Sequence, residues 1–165
     1  MTVSTSAASP AQGWTAATPA ARGFVSRLVA AILHITTGLA LTGAVLGLGV
    51  ADAIISRGVL VANASDVATL QALSPVLPLF AVVAVGHAFA GLGTLFGSRG
   101  AAALGIGLGA FDVIAGIVAL VVSATGDQTG FDGTGLAAAF IVMGIVLAVS
   151  ARAADWITHG PVAAD

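Results

Sequence analysis

AAALGIGLGAFDVIAGIVALVVS, residues 101–123, carries a single charged side chain, Asp112, in an otherwise apolar run. A helix needs roughly 20 apolar residues to cross the hydrocarbon core of a bilayer, and this stretch is long enough. A lone carboxylate at such a depth is costly. It must find a partner or face water, and it is read first as a functional-site candidate. The nearest candidate partner is His87, in the middle of the preceding apolar run.

Three further segments have the same character, at about 28–50, 76–97 and 134–151. The expected fold is therefore all-α, an integral membrane four-helix bundle occupying residues 24–152. Residues 1–23 are rich in Ala, Ser, Thr and Pro and read as a disordered cytoplasmic tail, with 153–165 as a second one. The composition supports this class. Of 165 residues, 58% are hydrophobic and 7% charged, with a mean hydropathy of +1.10. Soluble domains carry about 25% charged residues, so this chain has too little polar surface to coat a water-soluble globule. Its 22 glycines suit membrane helices that pack through small residues.

The composition also excludes functions. Without cysteine there are no disulfides, thiolate metal sites or cysteine nucleophiles. Every basic side chain that is always charged is Arg and every acid is Asp. Five arginines against a net charge of -2 make no nucleic-acid surface. The run Gly105-Ile106-Gly107-Leu108-Gly109-Ala110 partly mimics a dinucleotide fingerprint, but no strand precedes it and the setting is a membrane helix. No hydrolase, kinase or transferase constellation is present. Ser123 lies at the membrane boundary, far in depth from His87.

The connections set the topology. Ser98-Arg99-Gly100 is a very short turn, so the second and third spans form an antiparallel hairpin. The longest connection, 51–75, contains Ser65-Asp66, which are placed to cap a short helix with Val67, Leu70 and Leu73 on one face. Pro75 and Pro78 mark the start of the second span. With four spans, Arg22, Arg27, Arg99 and Arg152 share one side, while Arg57 faces the other with Asp52, Asp66, Asp127 and Asp132. The positive-inside rule then places both termini in the cytoplasm, in a plasma-membrane protein. Trp156 lies beyond the last span, where an interfacial anchor belongs. Ala51-Asp52-Ala53 resembles a signal-peptide cleavage site, but the first apolar run, about 23 residues, exceeds the usual core of about 7–15 and reads as a retained anchor. Asn63-Ala64-Ser65 matches a glycosylation sequon and is taken as incidental.

Residues at i, i+3, i+4 and i+7 share a helix face. On the third span Gly105, Gly109, Asp112, Gly116, Ala119 and Ser123 form a small-residue stripe, with Ile106, Val113, Ile117 and Leu120 opposite for lipid. On the second, Ala84, His87, Gly91, Thr94 and Ser98 do the same. His87 lies 12 residues before Arg99 and Asp112 lies 13 after it. Both therefore sit roughly 18–20 Å from the turn, and a His87–Asp112 contact is expected. His34 shares a face with Arg27, Gly38, Leu41 and Val45. Counted from Arg27 it is shallower than His87 by about 8 Å, so the two histidines need not meet. The fourth span has only a packing stripe, Ala137, Gly144, Ala148 and Ala151. Gly43-x3-Gly47, Gly93-x3-Gly97 and Gly105-x3-Gly109 are further small-residue packing spacings.

Two kinds of role compete for the ionisable groups. His87–Asp112 as a structural polar pair fixes helix register, since interhelical hydrogen bonds contribute about 0.6 kcal/mol on average in membranes. A proton relay is the functional counterpart. His34 and His87 are the candidate axial ligands if a haem b is held between helices. The depth offset and the lack of any arginine at membrane depth to meet propionates speak against haem, so no cofactor is expected. A zinc site would need His34, His87 and Asp112 to converge. As a homo-oligomer, the chain could line a cation path with a ring of Asp112. His159 falls in the tail and is expected to carry no role.

From Phe80 to Ser123, the pattern His87-x3-Gly91-x-Gly93, the Arg99 turn and the Gly-rich span after it resemble small four-helix membrane proteins of actinobacteria. The resemblance covers a quarter to a third of the chain. Some of those families have a further His in the fourth span, which this sequence lacks. Proteins of similar size and topology are accessory subunits of respiratory supercomplexes. The resemblance thus implies a non-enzymatic accessory or scaffold subunit of a larger plasma-membrane complex, with the lipid bilayer, other membrane subunits or a second copy as partners. The alternative is a haem- or proton-handling membrane protein using His34, His87 and Asp112.

Overall fold

The computed structural model describes residues 19–58, 63–125 and 133–160. Of the expected tails, 1–23 and 153–165, residues 1–18 and 161–165 lie outside the described residues, as do 59–62 and 126–132. Among the described residues there are five α-helices: α1 (Pro19–Ser56), α2 (Ala64–Leu73), α3 (Leu77–Leu95), α4 (Arg99–Thr125) and α5 (Thr134–His159). One 3-10 turn, Ser74–Val76, leads into α3. Four helical segments, Ala20–Ser56, Ser74–Leu95, Arg99–Thr125 and Thr134–His159, have mean hydropathies of 1.9 to 2.3 and are long and apolar enough to cross a membrane.

The helices outrun the apolar spans that predict them. Helix α1 has 38 residues, about 57 Å at 1.5 Å per residue, well beyond a hydrocarbon core of about 30 Å. Its first turns, Pro19–Gly23, are helical although their composition reads as tail. Proline is tolerated in the first turn of a helix, where its missing N–H has no intrahelical partner. Helix α5 continues through Trp156 to His159 and stops at Gly160, whose φ of 72° suits glycine.

The turn between α3 and α4 falls two residues earlier than Ser98-Arg99-Gly100. Gly97 takes φ 77°, and its N–H and that of Ser98 bond back to the carbonyls of Thr94 and Gly93. Ser98 Oγ then accepts the Ala101 N–H at 3.3 Å, so Arg99 and Gly100 already belong to α4. Helix α2 begins at Ala64, and the Val67 N–H bonds to the Asn63 carbonyl at 3.2 Å. The expected capping by Ser65 and Asp66 concerns side chains outside those described.

The register of the helices is read from their glycines. A Cβ at Gly38 would meet the Ala84 carbonyl oxygen at 2.7 Å, and one at Gly91 would meet the Ala31 carbonyl oxygen at 2.9 Å. Helices α1 and α3 are therefore antiparallel and in backbone contact. Helices α4 and α5 pair likewise: Gly109 faces the Gly144 carbonyl at 2.6 Å and Gly116 the Ala137 carbonyl at 2.7 Å, measured from the same ideal Cβ. The bundle is thus two close antiparallel pairs, α1–α3 and α4–α5, joined through the α3–α4 turn and by contacts between α1 and α5. Gly105, Gly109, Asp112 and Gly116 form the buried stripe of α4, as its 3.6-residue period demands. Val113 leaves the face assigned to lipid and packs on Gly144. Gly43 and Gly47 have no neighbouring atom within 4 Å of an added Cβ, so that spacing packs against nothing in the described chain.

Candidate functional site

Three side chains from three helices meet at the centre of the bundle. His34 of α1 and His87 of α3 are fully buried, and Asp112 of α4 is 2% exposed. The Nδ1 atoms of the two histidines are 3.0 Å apart, a hydrogen bond between rings. Their centroids are 5.2 Å apart with planes inclined by 27°. His87 Nε2 lies 3.2 Å from Asp112 Oδ2. That is ion-pair distance without the alignment of a hydrogen bond, and neither atom has a hydrogen-bonding partner. His34 Nε2 ends the chain. It is buried, also unpartnered, and would lie 2.7 Å from a Cβ at Gly105.

The sequence places the histidines too far apart in depth. Helix α1 lies antiparallel to α3 with His34 beside Gly91 and His87 beside Gly38. The offset is then one helical turn, about 6 Å, which two imidazole side chains can bridge. Each histidine is followed four residues later by a glycine, in His34-Ile35-Thr36-Thr37-Gly38 and His87-Ala88-Phe89-Ala90-Gly91. On antiparallel helices each glycine opens the space that the other helix's histidine fills. The repeated His-x3-Gly spacing is the signal for His34 that depth counting from Arg27 does not capture.

This arrangement does not fit a haem held between His34 and His87. A metal between two imidazole nitrogens lies about 2.0–2.1 Å from each, which sets the nitrogens about 4 Å apart. Here they are 3.0 Å apart and bonded to each other. The triad also runs in a line, His34 to His87 to Asp112, without converging on a point. Among the described residues no group of three His or Asp is arranged to hold a metal ion.

Beyond Asp112 lies a cavity of about 610 Å³ between the second half of α1 and the first half of α5. Leu41, Val45, Phe80, Phe140 and Met143 are among its walls, and among the described residues Asp112 is its one ionisable lining residue. Thr36 and Thr37 also line it, and their hydroxyls donate to carbonyls of their own helix, Ile32 and Leu33, at 2.8 and 2.9 Å. No residue pattern announces this cavity. It exists because α1 and α5 touch less closely than the two glycine-lined pairs.

At the opposite end, Arg99 Nη2 donates to the His159 carbonyl at 3.5 Å. Asp155 takes Arg152 at 3.6 Å and His159 Nδ1 at 3.0 Å. His159 thus belongs to a small polar cluster, because α5 stays helical and sets it four residues from Asp155 on one face.

Fold and site define a bundle of four apolar helices with an Asp–His–His triad at its core. No family model matches the chain, and no curated protein or solved structure matches it either.

Proposed function

We propose that this chain is a multi-pass plasma-membrane protein with both termini cytoplasmic, and that its Asp112–His87–His34 triad holds and relays a proton within the bilayer. The observation that carries the reading is the Nδ1–Nδ1 contact of 3.0 Å between two buried histidines, one of which abuts a buried carboxylate. A hydrogen bond between two imidazole nitrogens needs one hydrogen between them, with one ring donating and the other accepting. If His87 keeps its hydrogen on Nε2 toward Asp112, its Nδ1 accepts from His34. If a proton is added at His34 Nε2, the Nδ1 hydrogen of His34 passes to His87 Nδ1, the Nε2 hydrogen of His87 passes to Asp112, and His34 Nδ1 becomes the acceptor. The triad therefore has two proton arrangements that differ by one captured proton, with both rings neutral in each. The first arrangement carries a net charge of -1 and the second none, and a charged group at membrane depth is costly.

Infrared difference spectroscopy between acid and alkaline states of the reconstituted protein tests this. The expected result is a protonated-carboxyl stretching band that is absent in Asp112→Asn and displaced in its pH response by His87→Ala. A spectrum with no pH-dependent carboxyl signal sinks the relay and leaves a structural pair.

A second reading, an accessory or scaffold subunit of a larger plasma-membrane complex such as one of the respiratory chain, is favoured by one observation. Gly43 and Gly47 leave a small-residue face of α1 open, and small residues let membrane helices approach closely. Native purification with mass spectrometry tests it. A partner or second copy lost on Gly43→Leu supports the subunit role, and recovery as a lone monomer overturns it.

A further inference from the structure

We infer that the cavity beside Asp112 is a binding site for a lipophilic monovalent cation, which replaces the proton that otherwise neutralises the triad. The inference rests on the proton-handling reading and extends it to a ligand. Three observations point the same way. The cavity, about 610 Å³, falls within the roughly 300–1,000 Å³ of small-molecule sites. Its walls are aliphatic and aromatic, from Leu41, Val45, Phe80 and Phe140, which suits a ligand whose surface is hydrocarbon or aryl. Among the described residues its one ionisable lining group is Asp112, 2% exposed, whose Oδ2 faces His87 Nε2 at 3.2 Å without an aligned hydrogen bond.

Charge decides the class of ligand. Helix α1 contributes His34 and α3 contributes His87 near the carboxylate; α5, packed on α4, contributes no titratable side chain at that depth, its Arg152, Asp155 and His159 lying at the other end. With both rings neutral the site carries -1, and burial of that charge favours whatever neutralises it. A proton reaches Asp112 or the histidines without filling the cavity. A lipophilic cation can fill the cavity and bring its charge to Asp112. An apolar anion would meet the carboxylate unneutralised. A neutral molecule or lipid tail would use the walls and gain nothing from Asp112.

The probe is tetraphenylphosphonium, which has aryl surface, a fixed single charge and no acid–base chemistry of its own. Binding to the purified full chain in detergent is measured by equilibrium dialysis, with triphenylphosphine oxide as the neutral aryl control. Saturable binding of about one cation per chain is expected, weakened roughly tenfold or more in Asp112→Asn. On the acid side the apparent Kd should rise about tenfold per unit fall in pH, with proton release into weak buffer on binding. Ala139→Phe, which fills the cavity and keeps the carboxyl, should also weaken binding. It separates loss of the site from misfolding of the Asp112 variant. Equal binding of the neutral control, equal binding by Asp112→Asn, or no saturable binding overturns the inference. Binding that needs Asp112 yet ignores pH leaves the site standing and overturns the proton-handling reading alone.

Discussion

A hydrogen bond between two Nδ1 atoms makes the proton on either ring the concern of both. Removing any member of the triad strands the others in an apolar core, where an unpaired polar group costs about 1–3 kcal/mol. Asp112→Ala should therefore destabilise the bundle by that order, because His87 Nε2 loses the carboxylate that faces it at 3.2 Å. In a double-mutant cycle, His87→Ala with Asp112→Ala should cost less than the two single changes added together, with a coupling of about 0.5–2 kcal/mol. Unfolding in mixed micelles measures this. Strict additivity, or full stability of Asp112→Ala, would falsify the pairing as a structural contribution. The His87–Asp112 juxtaposition is legible in the sequence because both residues are counted from one short turn. The His34 contact is not legible by depth, because counting from Arg27 and Arg99 gives an offset of about 8 Å, whereas Arg27 lies over Gly97 and His34 beside Gly91, an offset of one turn that two imidazole side chains bridge.

The close helix pairs exist because a carbonyl of one helix lies where a glycine on the other has no side chain. Not every glycine has this role. Gly109 and Gly107 stand two residues apart on α4, yet a Cβ at Gly109 would meet the Gly144 carbonyl oxygen at 2.6 Å, whereas one at Gly107 would meet nothing within 4 Å. Gly109→Val must push α4 and α5 apart, an overpacking cost of about 1–3 kcal/mol. Gly107→Ala on the open face should change stability by less than about 0.5 kcal/mol, or raise it through helix propensity. Thermal unfolding of the two variants in the same detergent checks the contrast, and similar losses at both sites would show that the α4–α5 pairing is wrong. The 3.6-residue period reveals which face of α4 is small, and the buried stripe of Gly105, Gly109, Asp112 and Gly116 follows it. The period cannot say which helix meets that face. A stripe of glycines accepts any close partner, so the α1–α3 and α4–α5 pairing and the open Gly43–Gly47 face are visible only once the helices are in place.

At the scale of the molecule, the number of helices follows from length and hydropathy alone, since each crossing must supply its own roughly 20 apolar residues. The cavity beside Asp112 does not, because it is a difference in closeness between helix pairs that no single segment encodes. Topology lies between these cases. Four of the chain's five arginines, Arg22, Arg27, Arg99 and Arg152, lie near the start of α1, the α3–α4 turn and the end of α5, and the Arg99–His159 contact joins α4 to α5 there. The proposed orientation puts this cluster in the cytoplasm and the α1–α2 connection outside. A chain with no cysteine allows a clean test, because each introduced thiol is the sole target. Gly100→Cys marks the turn and Ala64→Cys the opposite end, and both positions are exposed. With a membrane-impermeant maleimide on intact cells, Ala64→Cys should label at once and Gly100→Cys only after permeabilisation. The inverse pattern would reverse the orientation. It would also require the cavity beside Asp112, which lies in the half of the bundle nearer Ala64, to sit in the cytoplasmic half of the membrane. Equal labelling of both thiols on intact cells would mean that the four apolar helices do not cross as an alternating set.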